Sequence, residues 1–537
     1  MECRGATRPA LGAKTCVPVG DCSAAFPPPN AIVVDPTAAL ADALAAAPKG
    51  ATIALADGTH TIDALTVDKD VTIVGRCAEK TKLVPSASAT SGFTLRAMTT
   101  LRGLTLSSFP TPLSIKGEYD LVVEDTVIED AKRRAFIGEL DALITIRRSV
   151  IRKTAPAANE QTFAIAVGAS AHVKIEESAI LESVDGAVVA TETSGTRAEI
   201  VRSVISDTMR RRDGTGGAAL RAFEGARIDV VESAILAATG SAILTFRRNP
   251  AKAPPSVTVA RSVITGTRAS EEGGVASGTT INAAFDAKVR IEDTTIADSE
   301  GAGLYAAEKA RIDVVRSAVV RTSRTRDLSA RATSALKEGV LAFEDSAIVR
   351  AGSIGVSGWD HGRATLVRTL VRDIGGDTLE GLPAGQGLTV HSGSVIEATD
   401  SALVDVRTAG VIASKPSSAV RLDRVLITHT GPPPDPLHHG VVSIDSARVD
   451  INQSIIERQG GVAIVGAAGA GVVTSSLVRD NAVAVQVQDG STLFEVSSVP
   501  EEIGPAELVI AGDTHFSNNQ VRVGSGIVPL PGVLAPF

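Results

Sequence analysis

Along most of this chain, short apolar runs alternate with turn-forming residues, and within a run apolar and polar side chains take turns. A period of two predicts β-strands, because successive strand side chains point to opposite faces. One pattern keeps returning: Val123-Glu124-Asp125-Thr126-Val127-Ile128, then Ile175-Glu176-Glu177-Ser178-Ala179-Ile180, then Val230-Val231-Glu232-Ser233-Ala234-Ile235. Its hydroxyl residue recurs at Thr126, Ser149, Ser178, Ser203, Ser233, Ser262, Thr294, Ser317, Ser346, Thr369, Ser401, Ser454 and Ser476, with Val425 taking one turn. Two residues later every copy is aliphatic, from Ile128, Ile151, Ile180 and Ile205 to Ile456 and Val478. Markers lie 22 to 32 residues apart. A second apolar stretch, usually opened by a small residue, follows in each repeat, as in Gly186-Ala187-Val188-Val189 and Gly440-Val441-Val442.

Strands this short cannot bury themselves. Stacked at about 4.8 Å, each coil supplies the backbone partners of the next, and like residues form columns. Fourteen repeats predict an all-β solenoid of roughly 70–80 Å at that spacing. The aliphatic column is the expected core seam. The hydroxyl column is expected at a tight bend, where it satisfies backbone groups left over at the corner. Leucine-rich repeats are excluded by the missing L-x-x-L-x-L spacing. Ala38 to Ala47 is Ala-rich and predicts a short capping helix. The expected organisation is a cysteine-containing head over 1–35, the β-helix with its N-terminal cap over 36–493 and a C-terminal cap over 494–537.

The composition suits stacked strands: 44 % of the 537 residues are hydrophobic but only 3 % aromatic, with one Trp. The net charge of −8 is spread along the chain with no basic stripe, so nucleic acid is not an expected partner. No apolar run approaches the ~20 residues of a transmembrane helix. The four cysteines, Cys3, Cys16, Cys22 and Cys77, all lie near the start. An even count favours two disulfides and an oxidising compartment, with connectivity open. A metal site fits poorly, since there is no C-x-x-C pair. Cys3 as a lipid-anchoring residue would leave three cysteines. Residues 1–10 lack the apolar core of a signal peptide, and the sequence is taken as the mature region.

The run Ala38 to Gly75 resembles the opening of pectin-lyase-like proteins: a helix, a strand, the turn Asp57-Gly58-Thr59, then Leu65-Thr66-Val67 and Val71-Thr72-Ile73-Val74-Gly75. With the repeat to about residue 490, the chain resembles the bacterial parallel β-helix proteins of that superfamily, in their secreted or envelope-attached form. The resemblance implies a right-handed parallel β-helix. It does not imply one chemistry, since the superfamily holds pectate lyases, polygalacturonases, tailspikes and adhesins.

The Asn-Thr-Asp, Asp-Asp, Gly-His-Gly and Arg-Ile-Lys motifs of polygalacturonase-like enzymes are absent. Trp359-Asp360-His361 is an incomplete echo of the lyase Trp-Ile-Asp-His signature. Its bland alternative is a tryptophan packed at a turn beside a solvated histidine. His429, Asp435, His438 and His439 form the densest cluster of metal-ligating side chains, or else a stiff Pro-rich loop with incidental histidines. Insertions at 153–161, 207–216, 267–279, 321–336, 375–386 and 429–439 all follow the aliphatic column and should emerge along one edge, where solenoids bind partners. Arg247 to Pro255 follows the other strand and marks a separate excursion.

The leading expectation is a non-catalytic secreted or envelope protein that presents a loop-rich edge to a polysaccharide or a surface protein and needs no cofactor. The alternative is a polysaccharide lyase or glycoside hydrolase, with Ca²⁺ only if it is a lyase. A passive spacer is the third reading. Few aromatic platforms are available for stacking against sugars.

Overall fold

The computed structural model describes residues 3–13, 15–155, 162–211, 214, 216–269, 278–324, 331–375, 378–379, 382–383, 385–429 and 438–531. The chain forms two compact units, Met1–Gly273 and Gly274–Phe537. Each is wound as a right-handed parallel β-helix with three sheets. A typical coil of the first unit runs Asp120–Glu124, Val127–Glu129 and Phe136–Glu139. Each strand pairs in parallel with its equivalent one coil on.

In the first unit the aliphatic seam is one column. Ile128, Ile151, Ile180, Ile205, Ile235 and Ile264 are successive register partners, each at most 1 % exposed. Ile296, Val319, Ile348 and Val371 continue the pattern within the second unit. Burial of each such side chain contributes about 1.5–3 kcal/mol.

The hydroxyl column stands at the corner between the first and second sheets. In the first unit, Ser149, Ser178, Ser203 and Ser233 each donate Oγ–H to the carbonyl two residues back at 2.8 Å. Each also accepts, at 3.1 Å, the N–H of the hydroxyl residue one coil earlier. The hydroxyl thus bridges two backbone groups that the sheets leave over at the bend.

The residue before each hydroxyl takes the left-handed conformation, with φ of 46° to 54°. Its identity alternates over six coils of each unit, Asp125, Arg148, Glu177, Arg202, Glu232, Arg261 in the first and Asp293, Arg316, Asp345, Arg368, Asp400, Arg424 in the second, where uncharged Gln453 and Ser475 follow. Each arginine reaches back to the acid one coil earlier, as Arg148 does to Asp125 at 2.9 Å and Arg316 to Asp293 at 2.8 Å. Like charges stacked at this spacing would repel; alternation turns the corner into an ion-pair ladder.

Small residues open the third-sheet strands for a steric reason. A Cβ on Gly387 or Gly410 would lie 2.4 or 2.7 Å from the carbonyl oxygen of its counterpart one coil on.

At the start, a hairpin of Thr7–Pro9 and Cys16–Pro18 is closed by the Cys3–Cys16 disulfide and tied to the body by Cys22–Cys77. Its Ala6 and Val19 cover Val127, Val150 and Ala179 on the outer face of the second sheet. A short helix, Leu40–Ala46, buries Leu40 and Leu44 against the first coils. Within 494–537, Glu507–Ala511, His515–Ser517 and Val521–Val523 still pair in parallel with the preceding strands. Among the described residues, no helix is long and apolar enough to cross a membrane.

Candidate functional site

The site is built on the outer face of the third sheet in the first unit. Strand alternation sends Ile165, Val188, Leu220 and Ile243 into the core and turns Ile137, Ala166, Val189, Arg221 and Leu244 outward in one register column. Arg221 is the charged member of that aliphatic column, yet it is only 8 % exposed.

Asp185 explains how the cation is held. This carboxylate is completely buried. Its Oδ1 and its backbone carbonyl both accept from Arg221 Nη2 at 2.8 Å. Its Oδ2 accepts the Thr162 N–H at 3.0 Å and lies 3.5 Å from Arg211 Nε. Gly216 is required beside it, since a Cβ there would lie 2.0 Å from Oδ1. Burial pushes the Arg221 guanidinium below its ordinary range, against the pull of Asp185. Its Nε is buried with no hydrogen-bond partner among the described residues.

Around Arg221 the groove is aromatic. The guanidinium stacks over Phe163 at 4.8 Å. Phe163 packs with Val189 and Phe223, and the Phe223 and Phe246 rings are 4.5 Å apart. Exposed Arg248 lies over both of these rings at 5.2 Å. Arg248 comes from the Arg247–Pro255 excursion, whose backbone is pinned by the Glu224 carboxylate accepting the Arg248 and Asn249 N–H groups at 3.0 and 3.2 Å. Arg134, Glu139 and Glu192 complete a cavity of about 220 Å³. That is below the ~300–1,000 Å³ of enclosed small-molecule sites. Glu139 pairs with Lys116 at 2.8 Å. Glu192 holds a φ of 88°, a sparsely populated conformation for any residue but glycine.

The residues singled out from sequence lie elsewhere. Trp359 ends a third-sheet strand of the second unit and stacks on His391 at 4.2 Å, nearly parallel. It is buried, while Asp360 and His361 are exposed at the turn that follows. His429 and His438 meet edge to face at 4.4 Å, and Asp435 lies outside the described residues. His439 is only 1 % exposed. Its Nδ1 accepts the Val462 N–H at 3.2 Å and its Nε2 lies 2.9 Å from the Pro529 carbonyl, so it anchors the C-terminal segment. Among the described residues, no three His, Cys, Asp or Glu gather as metal ligands. The six insertions leave second-sheet strands and re-enter third-sheet ones; their central residues lie largely outside the described residues. Phe163 stands at the foot of the first.

No protein-family model and no curated protein matches the sequence. Solved structures do show similarity. The catalytic domain of a GH87 alpha-1,3-glucanase in complex with tetrasaccharides is 12 % identical, over 82 % of this chain and 67 % of that one, with a TM-score of 0.31. The PL6 family alginate lyase AlyGC is 10 % identical over 92 % and 97 %, with a TM-score of 0.33. The catalytic unit of the GH87 alpha-1,3-glucanase of Streptomyces thermodiastaticus is 12 % identical over 94 % and 71 %, with a TM-score of 0.29. Similarities at these levels assign no activity to this chain.

Proposed function

We propose that this is a secreted or envelope-attached, polysaccharide-directed β-helix protein of bacterial type, and that the first unit's groove binds an acidic glycan. The observation that carries this is the convergence of Arg134, Arg221 and Arg248 on an apolar floor of Phe163, Phe223 and Phe246. Guanidinium groups offer paired donors to a carboxylate or sulfate, and apolar surface suits the faces of a sugar ring. The two disulfides support an oxidising compartment. Cleavage of the bound glycan is a second reading, favoured by the carboxylates of Glu139 and strained Glu192 in the same groove. Backbone strain gathers at working sites.

Calorimetric titration against acidic and neutral polysaccharides, with and without Ca²⁺, tests the proposal. Acidic glycans are expected to bind and neutral ones not. Arg248→Ala should weaken binding about tenfold, the loss of one charge-assisted contact. New reducing ends, or the ultraviolet absorbance of an unsaturated uronide, would establish cleavage. Failure to bind any acidic glycan would reject the proposal.

A further inference from the structure

The second unit carries a surface the proposed function does not use. On the outer face of its second sheet, Ala318, Ala347, Leu370, Ala402, Leu426 and Ile455 form one register column, and all are partly exposed. Beside it runs the corner ladder Asp293, Arg316, Asp345, Arg368, Asp400, Arg424. Aliphatic column and charged ladder share one shallow depression of about 600 Å³, lined by Asp293, Arg316, Ala318, Asp345, Ala347 and Leu370 among others. In the first unit the head hairpin covers the equivalent column at Val127, Val150 and Ala179, so this face is chemically suited to burial.

We propose that this surface pairs with the same surface of a second copy of the chain, antiparallel, about a two-fold axis between the coils of Asp345 and Arg368. The sign pattern carries the argument. The ladder begins with an acid, ends with a base and alternates through six coils. Reversal by a two-fold axis therefore sets Asp293 against the second copy's Arg424, Arg316 against its Asp400 and Asp345 against its Arg368. Parallel alignment without offset would set like against like. The same axis brings Ala347 onto Leu370 and Ala318 onto Ala402. A two-fold contact must be self-complementary in this way.

Six coils at about 4.8 Å, across a strand and corner about 15 Å wide, give roughly 400 Å² per copy. That is the size of a weak, reversible contact, whose charges set register more than affinity. Dimerisation is therefore concentration-dependent and weakened by salt.

Sedimentation velocity over a concentration series is expected to show a monomer–dimer equilibrium, with Leu370→Lys lowering the association constant at least tenfold. The alignment is read by cysteine pairs. All four native cysteines are in disulfides. Ala318 and Ala402 lie three coils apart within a chain, about 14 Å, beyond the ~7 Å that a disulfide spans. The double variant A318C/A402C should cross-link between copies under mild oxidation, and A318C alone should not. A monomer up to the solubility limit, no cross-link in the double variant, or equal cross-linking by A318C alone would each overturn the proposal.

Discussion

Asp185→Asn would test whether the groove is pre-organised. The substitution keeps the shape of the side chain and removes the negative charge. Arg221 is nearly buried and Asp185 completely so, with 2.8 Å contacts between them. Breaking a buried pair by neutralising one partner costs about 3–5 kcal/mol, because the other charge stays in a poorly solvated place. Replacing both partners costs far less. Asp185→Asn is therefore expected to lower stability by about 3–5 kcal/mol, and Asp185→Asn/Arg221→Met to recover most of that loss. The coupling should exceed about 1.5 kcal/mol. Urea unfolding followed by circular dichroism gives the energies, provided the denaturant slope is unchanged. A local probe is available too. The Thr162 amide donates to Asp185, and its hydrogen exchange should accelerate about a hundred-fold or more in the single variant, since each 1.4 kcal/mol is a factor of about ten. A single-variant loss under about 1 kcal/mol, or a double variant as unstable as the sum of the singles, would show that Asp185 does not hold Arg221.

Three further outcomes follow from the geometry. Ser203→Ala removes the acceptor of the Ser178 N–H and the donor to the Val201 carbonyl; it should cost about 1–3 kcal/mol and accelerate exchange of the Ser178 amide, and an effect under about 0.5 kcal/mol would make the ladder a bystander. Burial opposes ionisation of Glu124, Glu129 and Glu457, but hydrogen bonds from Arg147, Arg152 and Arg458 and their charges outweigh it and hold these carboxyls below their usual range. Their stabilisation is therefore complete above the unfolded pKa of about 4.3 and is lost as pH falls through the lower folded values; a melting temperature constant through that acid range at low salt would contradict this. Burial, aided by Lys415, lowers the His391 pKa, so quenching of the single tryptophan by the protonated ring should titrate below about 6.5 and vanish in His391→Gln, whereas a midpoint above that value would refute the stacked, desolvated histidine.

The coil is legible in the order of the residues alone. Thr126, Ser149, Ser178 and Ser203, each followed two positions later by an isoleucine, reveal both columns because the hydroxyl corner and the strand after it keep one length in every repeat. Insertions elsewhere shift the count without disturbing that local pattern. The alternation Asp125, Arg148, Glu177, Arg202 at the position before the marker took its meaning only from the stacked coils, which set each arginine over the acid one coil earlier.

The groove was decided by tertiary structure. Asp185 and Arg221 are 36 residues apart and meet because Arg221 falls in the outward column of Ile137, Ala166 and Val189. That assignment depends on third-sheet register, which insertions of unequal length hide. The histidines show the converse. His438 and His439 are neighbours in a cluster that read either as metal ligands or as incidental residues of a Pro-rich loop, and the coil brings His439 to the Pro529 carbonyl, 90 residues away. Local spacing reports which residues stack; only the closed coil decides which distant side chains share a surface and which polar atoms are left facing it.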